Sequence, residues 1–147
     1  MTTTALNQAA YTVDADTLLF GTAYPVLTRK ITIANPQVAL KRGMAIIRAT
    51  ASASAANATS GGDAIAVTSV TNTLNVAGAK SGGTTIPGDI VAVLTSDADA
   101  DTTSETLDVY AYVAGAFNKG EVKTLNSLDI DTAAYILGAQ GNGIYLL

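Results

Sequence analysis

The sequence predicts a mainly β domain with one or two short helices near its C-terminus and an extended N-terminal arm. Two patterns predict the strands: apolar and polar residues alternate over residues 107–113, and residues 89–94 form a short run that is apolar after its first residue. A third observation predicts the arm, because residues 2–17 contain no Gly, Pro, Lys or Arg and show no sustained helical or strand spacing. With 147 residues, the chain has the length of one ordinary domain.

The N-terminal segment, residues 1–20, is predicted to be the arm, and residues 21–147 to form a single β domain. Because the arm is rich in Thr and Ala, it has the composition of a segment that can add itself as a strand to a partner's sheet edge. A frayed terminus has a similar composition, so the sequence alone fits both interpretations.

The first half of the domain is predicted to begin with two strands. Residues 26–34 alternate, with Leu27, Ile31 and Ile33 on one side, which is typical of a strand with one buried face. A turn at Asn35 and Pro36 and a second turn at residues 41–43 lead to another strand over residues 44–50.

The middle of the chain is richer in small residues. Residues 51–62 are almost wholly Ala, Ser, Asn, Thr and Gly, which predicts an exposed loop. Apolar residues within 65–67 and 70–76 indicate two short strands, and a second loop runs through residues 78–88.

The second half carries the strongest β pattern. Residues 89–94 predict a strand that is buried on both faces, residues 97–104 an acidic loop, and residues 107–113 a central strand. Residues 144–147 predict an apolar final strand that docks on the body.

Two short helices are predicted between these strands. Asn118 and Glu121 have the spacing of a capping box, which predicts a helix through Leu125. A second helix is expected after Asp129 and ends at Gly138 or Gly141.

The composition bears on the chemistry of the chain. Without His or Cys, the sequence lacks the usual general base, the usual metal ligand and the thiolate nucleophile, so we expect no enzyme activity and no cofactor. The eight Lys and Arg residues are dispersed and the net charge is −4, so no nucleic-acid partner is expected. The first residues do not resemble a signal peptide and no apolar stretch approaches about 18 residues, so we expect a protein made in the cytosol with no membrane partner.

The acidic loop is the densest group of carboxylates. Asp97, Asp99 and Asp101 could in principle serve a glycoside hydrolase or a surface calcium site. They lie too close together in one loop to flank a substrate, and the glycine and terminal glutamate of a calcium loop are missing, so a solvated acidic turn is preferred.

The predicted central strand also offers candidate interface residues. Tyr110 and Tyr112 project from one face of it, and Phe117 follows near its end. Tyrosine combines a large ring with a polar tip and is common at interfaces, although the same pattern fits a half-exposed face of an ordinary sheet.

Several motifs, taken together in order, resemble the lambda-type phage head decoration proteins. Residues 40–44 contain an "LKRG" turn between two strands, and residues 90–100 a buried strand followed by a "D-x-D-A" loop. Residues 109–118 read V-Y-A-Y-V-A-G-A-F-N and resemble the "V-x-V-x-G-x-F-N" strand of the family. The Gly-Ile-Tyr sequence at 143–145 also resembles the family ending. The resemblance covers about residues 26–50 and 89–147, while the segment between them is longer and richer in Gly, Ser and Ala than the family pattern.

The resemblance implies a β-clip-like or small β-barrel-like domain that assembles as a homotrimer on the outer surface of the virion. Its partner would be the major capsid protein at three-fold and quasi-three-fold positions, where family members stabilise the head against internal DNA pressure. Such a protein is made in the host cytoplasm. By position, the resemblance assigns capsid binding to the following residues of the arm: Thr2, Thr3, Thr4, Leu6, Tyr11, Val13, Leu18, Leu19 and Phe20.

A different class of function also fits the composition. A β-structured surface adhesion or carbohydrate-binding module would use Thr-, Ser- and Ala-rich loops to recognise a polymer. Such a module should be a stable monomer that binds glycans, whereas a decoration protein should copurify with heads.

Overall fold

A computed structural model describes residues 17–21, 24–49, 55–58, 64–67, 74–81, 84–130 and 139–147. These residues form ten β-strands, one short 3-10 helix and the helical residues 139–141. In chain order the elements are β1 (Leu27–Ala34), β2 (Ala45–Ala49), β3 (Ala55–Ala58), β4 (Ala64–Val67), β5 (Leu74–Val76), β6 (Lys80–Ser81), β7 (Thr84–Thr85), β8 (Gly88–Leu94), β9 (Thr106–Phe117), the 3-10 helix (Lys119–Glu121) and β10 (Ile144–Leu146).

Six of the strands form one sheet. Its path is β1-β9-β8-β2-β5, with each neighbouring pair antiparallel, and β10 pairs in parallel with the C-terminal end of β9. The sheet curls into a half barrel, so that the two ends of the path, β1 and β5, approach each other. Two small hairpins, β3-β4 and β6-β7, complete the strands.

The hydrophobic core contains residues from the main sheet and from the segments packed against it. Aliphatic side chains dominate its largest fully buried members, which are Phe117, Ile33, Leu40, Ile46, Ile47, Ile86, Ile90, Leu94, Ile130, Ile144 and Val76. Residues after the 3-10 helix pack on the sheet, where the Leu125 N–H donates to the Ala77 carbonyl and the Ala45 N–H donates to the Lys123 carbonyl. Val122 and Leu125 are thereby buried against β2 and the end of β5.

The predicted mainly β fold is confirmed, and most predicted strands match observed ones. β8 is buried at Ala92, Val93 and Leu94, which includes both of its faces, as the apolar run predicts. β9 pairs with β1, β8 and β10, so it is the central strand that the alternation predicts, although it runs four residues further, to Phe117. The helical residues 139–141 end at Gly141, one of the two predicted stops.

Three predictions about local structure were wrong. Residues 51–62 do not form only a loop, because β3 lies within them and pairs with β4. In β1 the predicted buried face is buried only at Ile33, and Leu27 is 47% exposed. The capping box of Asn118 and Glu121 does not form, and the helix that it predicted is limited to the three-residue 3-10 helix.

Some predictions lie outside the described residues. These are the arm up to residue 16, the strand position of Val70 and residues 131–138 of the second helix. Within the described part of the chain, no helix is long and apolar enough to cross a membrane.

Candidate binding surface at the root of the arm

The last residues of the predicted arm are bound to the end of β9. The Phe20 N–H donates to the Ala116 carbonyl at 2.9 Å, and the Asn118 N–H donates to the Leu18 carbonyl at 2.9 Å. The Asn118 side-chain amide donates to the Thr17 carbonyl, and this side chain makes no capping hydrogen bond to the 3-10 helix. The point at which the arm leaves the domain is therefore held in place by the central strand.

The opposite edge of β9 is occupied by the final strand. Tyr145 of β10 lies beside Ala116, and the Leu147 N–H donates to the Phe117 carbonyl at 2.9 Å. The Lys119 N–H donates in turn to the Leu147 carbonyl at 3.0 Å. Segments from both ends of the sequence thus flank the same few residues of β9.

Six exposed apolar side chains surround this end of β9, and we call them the root patch. They are Phe20 (45% exposed), Tyr24 (45%), Val26 (39%), Leu27 (47%), Tyr145 (39%) and Leu147 (49%). Among the described residues only two other large apolar side chains are exposed, Tyr110 and Leu128. Clustered exposed apolar surface marks an interaction site, whereas single exposed apolar residues are ordinary.

Contacts around β9 hold the root patch together. The rings of Tyr24 and Tyr145 stack with centroids 5.4 Å apart. Phe20 and Tyr145 flank Ala116 on its two edges, and the small Ala116 side chain is buried at 3% exposure. Val26 packs over Gly115, and Leu27 pairs with Ala114. The side chains of the root patch are therefore positioned by β9, a strand with neighbours on both edges.

The structure separates the arm residues that it describes by their burial. Phe20 belongs to the root patch, Leu19 is half-buried and forms a bridge with Phe117, and Leu18 is buried in the core at 3% exposure. Leu18 therefore anchors the arm to the domain, and its assignment to capsid binding stays a prediction. Thr2, Thr3, Thr4, Leu6, Tyr11 and Val13 lie outside the described residues.

The three candidate interface residues of β9 differ from one another in how far they are buried. Tyr110 is 59% exposed and is free to contact a partner. Tyr112 is half-buried, accepts a hydrogen bond from Arg42 Nη2 at 3.3 Å and packs against Phe117, with ring centroids 5.6 Å apart. Phe117 is fully buried in the core of the single chain, and its interface role stays a prediction.

The "LKRG" turn and the acidic loop are bound to each other. Leu40 and Ala98 exchange two backbone hydrogen bonds, and the Arg42 N–H donates to Asp97 Oδ1 at 2.8 Å. Arg42 Nε also donates to the Thr95 carbonyl at 3.1 Å. Gly43 has φ of +91°, and a Cβ at this position would lie 2.7 Å from the Glu121 carbonyl oxygen, so the turn requires glycine.

Two carboxylates of the acidic loop, Asp97 and Asp101, accept hydrogen bonds from residues in or next to that loop. The hydrogen bond from the Arg42 N–H, helped by Lys41, holds the pKa of Asp97 below its ordinary value. Hydrogen bonds from the backbone and hydroxyl groups of Thr103 and Ser104 lower the pKa of Asp101 to about 2. Asp97 and Asp101 are thus bound to different partners, and within the described residues no three acidic side chains are grouped to hold a metal ion.

Sequence reasoning did not identify most of the root patch. Tyr24 and Val26 lie before β1, Leu27 was expected to be buried, and Tyr145 and Leu147 lie in a run that is apolar at every position. A uniformly apolar run gives no indication of which side faces solvent, because that depends on the strand's neighbours. Phe20 was the one member predicted as a site residue.

Comparison of the chain with family models, curated proteins and solved structures finds no match.

Proposed function

We propose that this chain is a capsid decoration protein that binds as a homotrimer to the outside of a phage head at three-fold and quasi-three-fold sites. There it would stabilise the shell against the pressure of the packaged DNA. The root patch is the observation that carries the proposal, because it places exposed apolar surface where the predicted arm joins the domain. The motif order that resembles the lambda-type decoration proteins supports the same function.

The contact between the "LKRG" turn and the acidic loop adds support. These two motifs are separated by more than fifty residues, yet Leu40 pairs with Ala98 and Arg42 bonds to Asp97. Both motifs belong to the resemblance, and their residues depend on each other in the fold.

The exposed area of the root patch is large enough to matter for binding. Six side chains that are each about half exposed present roughly 450 Å² of apolar surface, since a large aromatic side chain buries about 200 Å² in full. A partner that covers one patch would bury about the same area of its own, so one contact would total on the order of 900 Å², at the low end for specific protein interfaces. A trimer would make three such contacts. The patch therefore suits an interface with a shell or between copies.

The proposed mechanism combines the patch with the arm. Leu6, Tyr11 and Val13 would bind along an exposed strand of the major capsid protein, and backbone hydrogen bonds would offset the entropy lost when the arm becomes ordered. A trimer presents three arms, so after the first binds the others bind at an effective concentration of about millimolar. Weak single contacts would thereby give tight attachment.

Deletion of residues 1–17 tests the role of the arm. Capsid occupancy should fall, while the number of subunits in the purified assembly should stay the same if the arm binds only the shell. Saturation of heads by the truncated protein with unchanged affinity would contradict the arm's role. A stable monomer that binds glycans and not heads would favour the adhesion module instead.

A further inference from the structure

A cleft of about 280 Å³ lies inside the curl of the main sheet. All five strands of the sheet path contribute to it, together with one residue near the C-terminal end of the chain. It is lined by Arg29, Ile31, Arg48, Leu74, Val91, Ala92, Val113 and Asn142. The walls are thus mainly aliphatic, and two arginines supply the charge.

The two arginines are exposed and have no carboxylate partner within the described residues. The ion pairs found there use Lys30, Lys41 and Lys123. Asp89 lies opposite Arg48 on the neighbouring strand but forms no ion pair with it. The cleft therefore combines apolar walls with two arginines that form no ion pair within the described residues. This combination suits a carboxylate on a short side chain.

We propose that this cleft binds Asp99 from the acidic loop of a second copy of the chain. The inference rests on the proposed homotrimer, because it identifies a contact between its subunits. In a cyclic trimer each subunit would offer its loop to one neighbour and its cleft to the other. Such a heterologous contact closes into a ring when the rotation between subunits is one third of a turn.

The choice of Asp99 follows from the other carboxylates of the described residues. Asp97, Asp101, Asp108 and Asp129 are hydrogen-bonded within their own subunit, and Glu105 also has a partner. Asp89 is adjacent to the cleft itself. Only Asp99 and Glu121 remain, and Asp99 lies on an exposed loop between Ala98 and Ala100, whose small side chains allow entry into a narrow cleft.

The acidic loop is held away from the cleft of its own subunit. Arg48 lies opposite Asp89 near the start of β8, whereas the loop follows the end of β8 at Leu94 and is bonded to Leu40. Arg42, which binds this loop, packs its guanidinium over the Tyr112 ring at 6.0 Å. The next residue, Val113, lines the cleft. Because successive side chains of a strand point to opposite faces, the loop and the cleft lie on opposite sides of β9. Occupancy of the cleft by Asp99 therefore requires another copy.

Charge exchange provides the test. Arg48→Glu and Asp99→Arg should each raise the dissociation constant of the trimer about tenfold, and the double variant should restore it to within about threefold of the original. Lys119→Glu and Glu121→Arg change the net charge by the same amounts away from the cleft and should have little effect. Native mass spectrometry across a dilution series would measure the trimer.

A crosslinking experiment gives a second readout that does not depend on affinity. The chain has no cysteine, so Asp99→Cys combined with Arg48→Cys introduces the sole reactive pair. A short bis-maleimide should link subunits into covalent trimers, both in solution and on heads. Single variants that assemble like their controls, a double charge variant that is not restored, or a crosslink only within one subunit would each overturn the inference.

The outcomes distinguish this inference from the proposed function. If the unmodified protein decorates heads as a trimer while the cleft variants behave normally, only the Asp99 contact is wrong. If the unmodified protein neither forms a trimer nor binds heads, the proposed function itself fails and the inference fails with it.

Discussion

Replacement of Phe20 by serine should weaken binding to the head without unfolding the domain. Phe20 is 45% exposed in the root patch, and its backbone rather than its ring is bonded to β9. Full burial of a phenylalanine covers about 200 Å², so about 90 Å² remains for a partner to bury. At about 25 cal/mol per Å², the lost contact amounts to about 2 kcal/mol, or about thirtyfold in the dissociation constant.

The assay is a titration of purified heads with labelled protein, paired with urea unfolding of the free protein. Leu128→Ser is the matched control, because Leu128 is 64% exposed but is not part of the root patch. Head binding should fall for Phe20→Ser and not for Leu128→Ser, and both should unfold near the midpoint of the parent. Equal binding by the two variants would refute the assignment of the root patch to the head.

Further predictions concern the loops that shape the domain. Asn35→Ala removes three hydrogen bonds of 2.7, 2.7 and 2.8 Å made by a fully buried side chain, which should lower the free energy of unfolding in urea by about 3 kcal/mol. Gly43→Ala forces a Cβ to 2.7 Å from the Glu121 carbonyl at positive φ and should cost about 2 kcal/mol or more, whereas Gly141→Ala meets no atom within 4 Å and should change unfolding little. Because folding lowers the pKa of Asp101 to about 2, its hydrogen bonds stabilise the fold fully above the ordinary value of 3.8 and are lost as the pH falls through about 2. Acid unfolding of Asp101→Asn should therefore depend less on pH in that window, and an unchanged acid profile would contradict the assigned pKa.

The strands were predictable where local sequence and final environment agree. Residues 107–113 alternate because β9 has one face toward the core, and residues 90–94 are apolar because β8 is covered on both sides. The turn at residues 41–43 was also predictable, since it contains a glycine that the backbone needs. In each case the residues that determine the local structure lie within a short window of the sequence.

The wrong predictions concern residues whose burial, hydrogen bonding or pairing depends on segments far away in the sequence. Leu27 lies at a register shift between β1 and β9 that places it beside Ala114, and such a shift is not visible in the alternation of one strand. Asn118 makes no capping bond to a helix, and its amide donates instead to Thr17, a residue 101 positions away in the chain. β3 is composed of Ala and Asn, which have low β propensity, so its pairing with β4 overrides its local preference.

The root patch also depends on contacts between segments that are distant in the sequence. Its members come from residues 20–27 and from the end of the chain, and they meet only because both segments border residues 114–117 of β9. The family resemblance indicated an arm that binds a shell, but it assigned no role to Tyr24, Tyr145 or Leu147. The candidate surface is thus a consequence of the topology.

The central claim is that this protein binds the outside of a phage head on its three-fold axes. Electron microscopy of heads prepared with and without the protein tests it most directly. We predict additional trimeric density at the three-fold and quasi-three-fold positions. The root patch of each subunit should face the major capsid protein or a neighbouring subunit. Heads that show the same density with and without the protein would contradict the account.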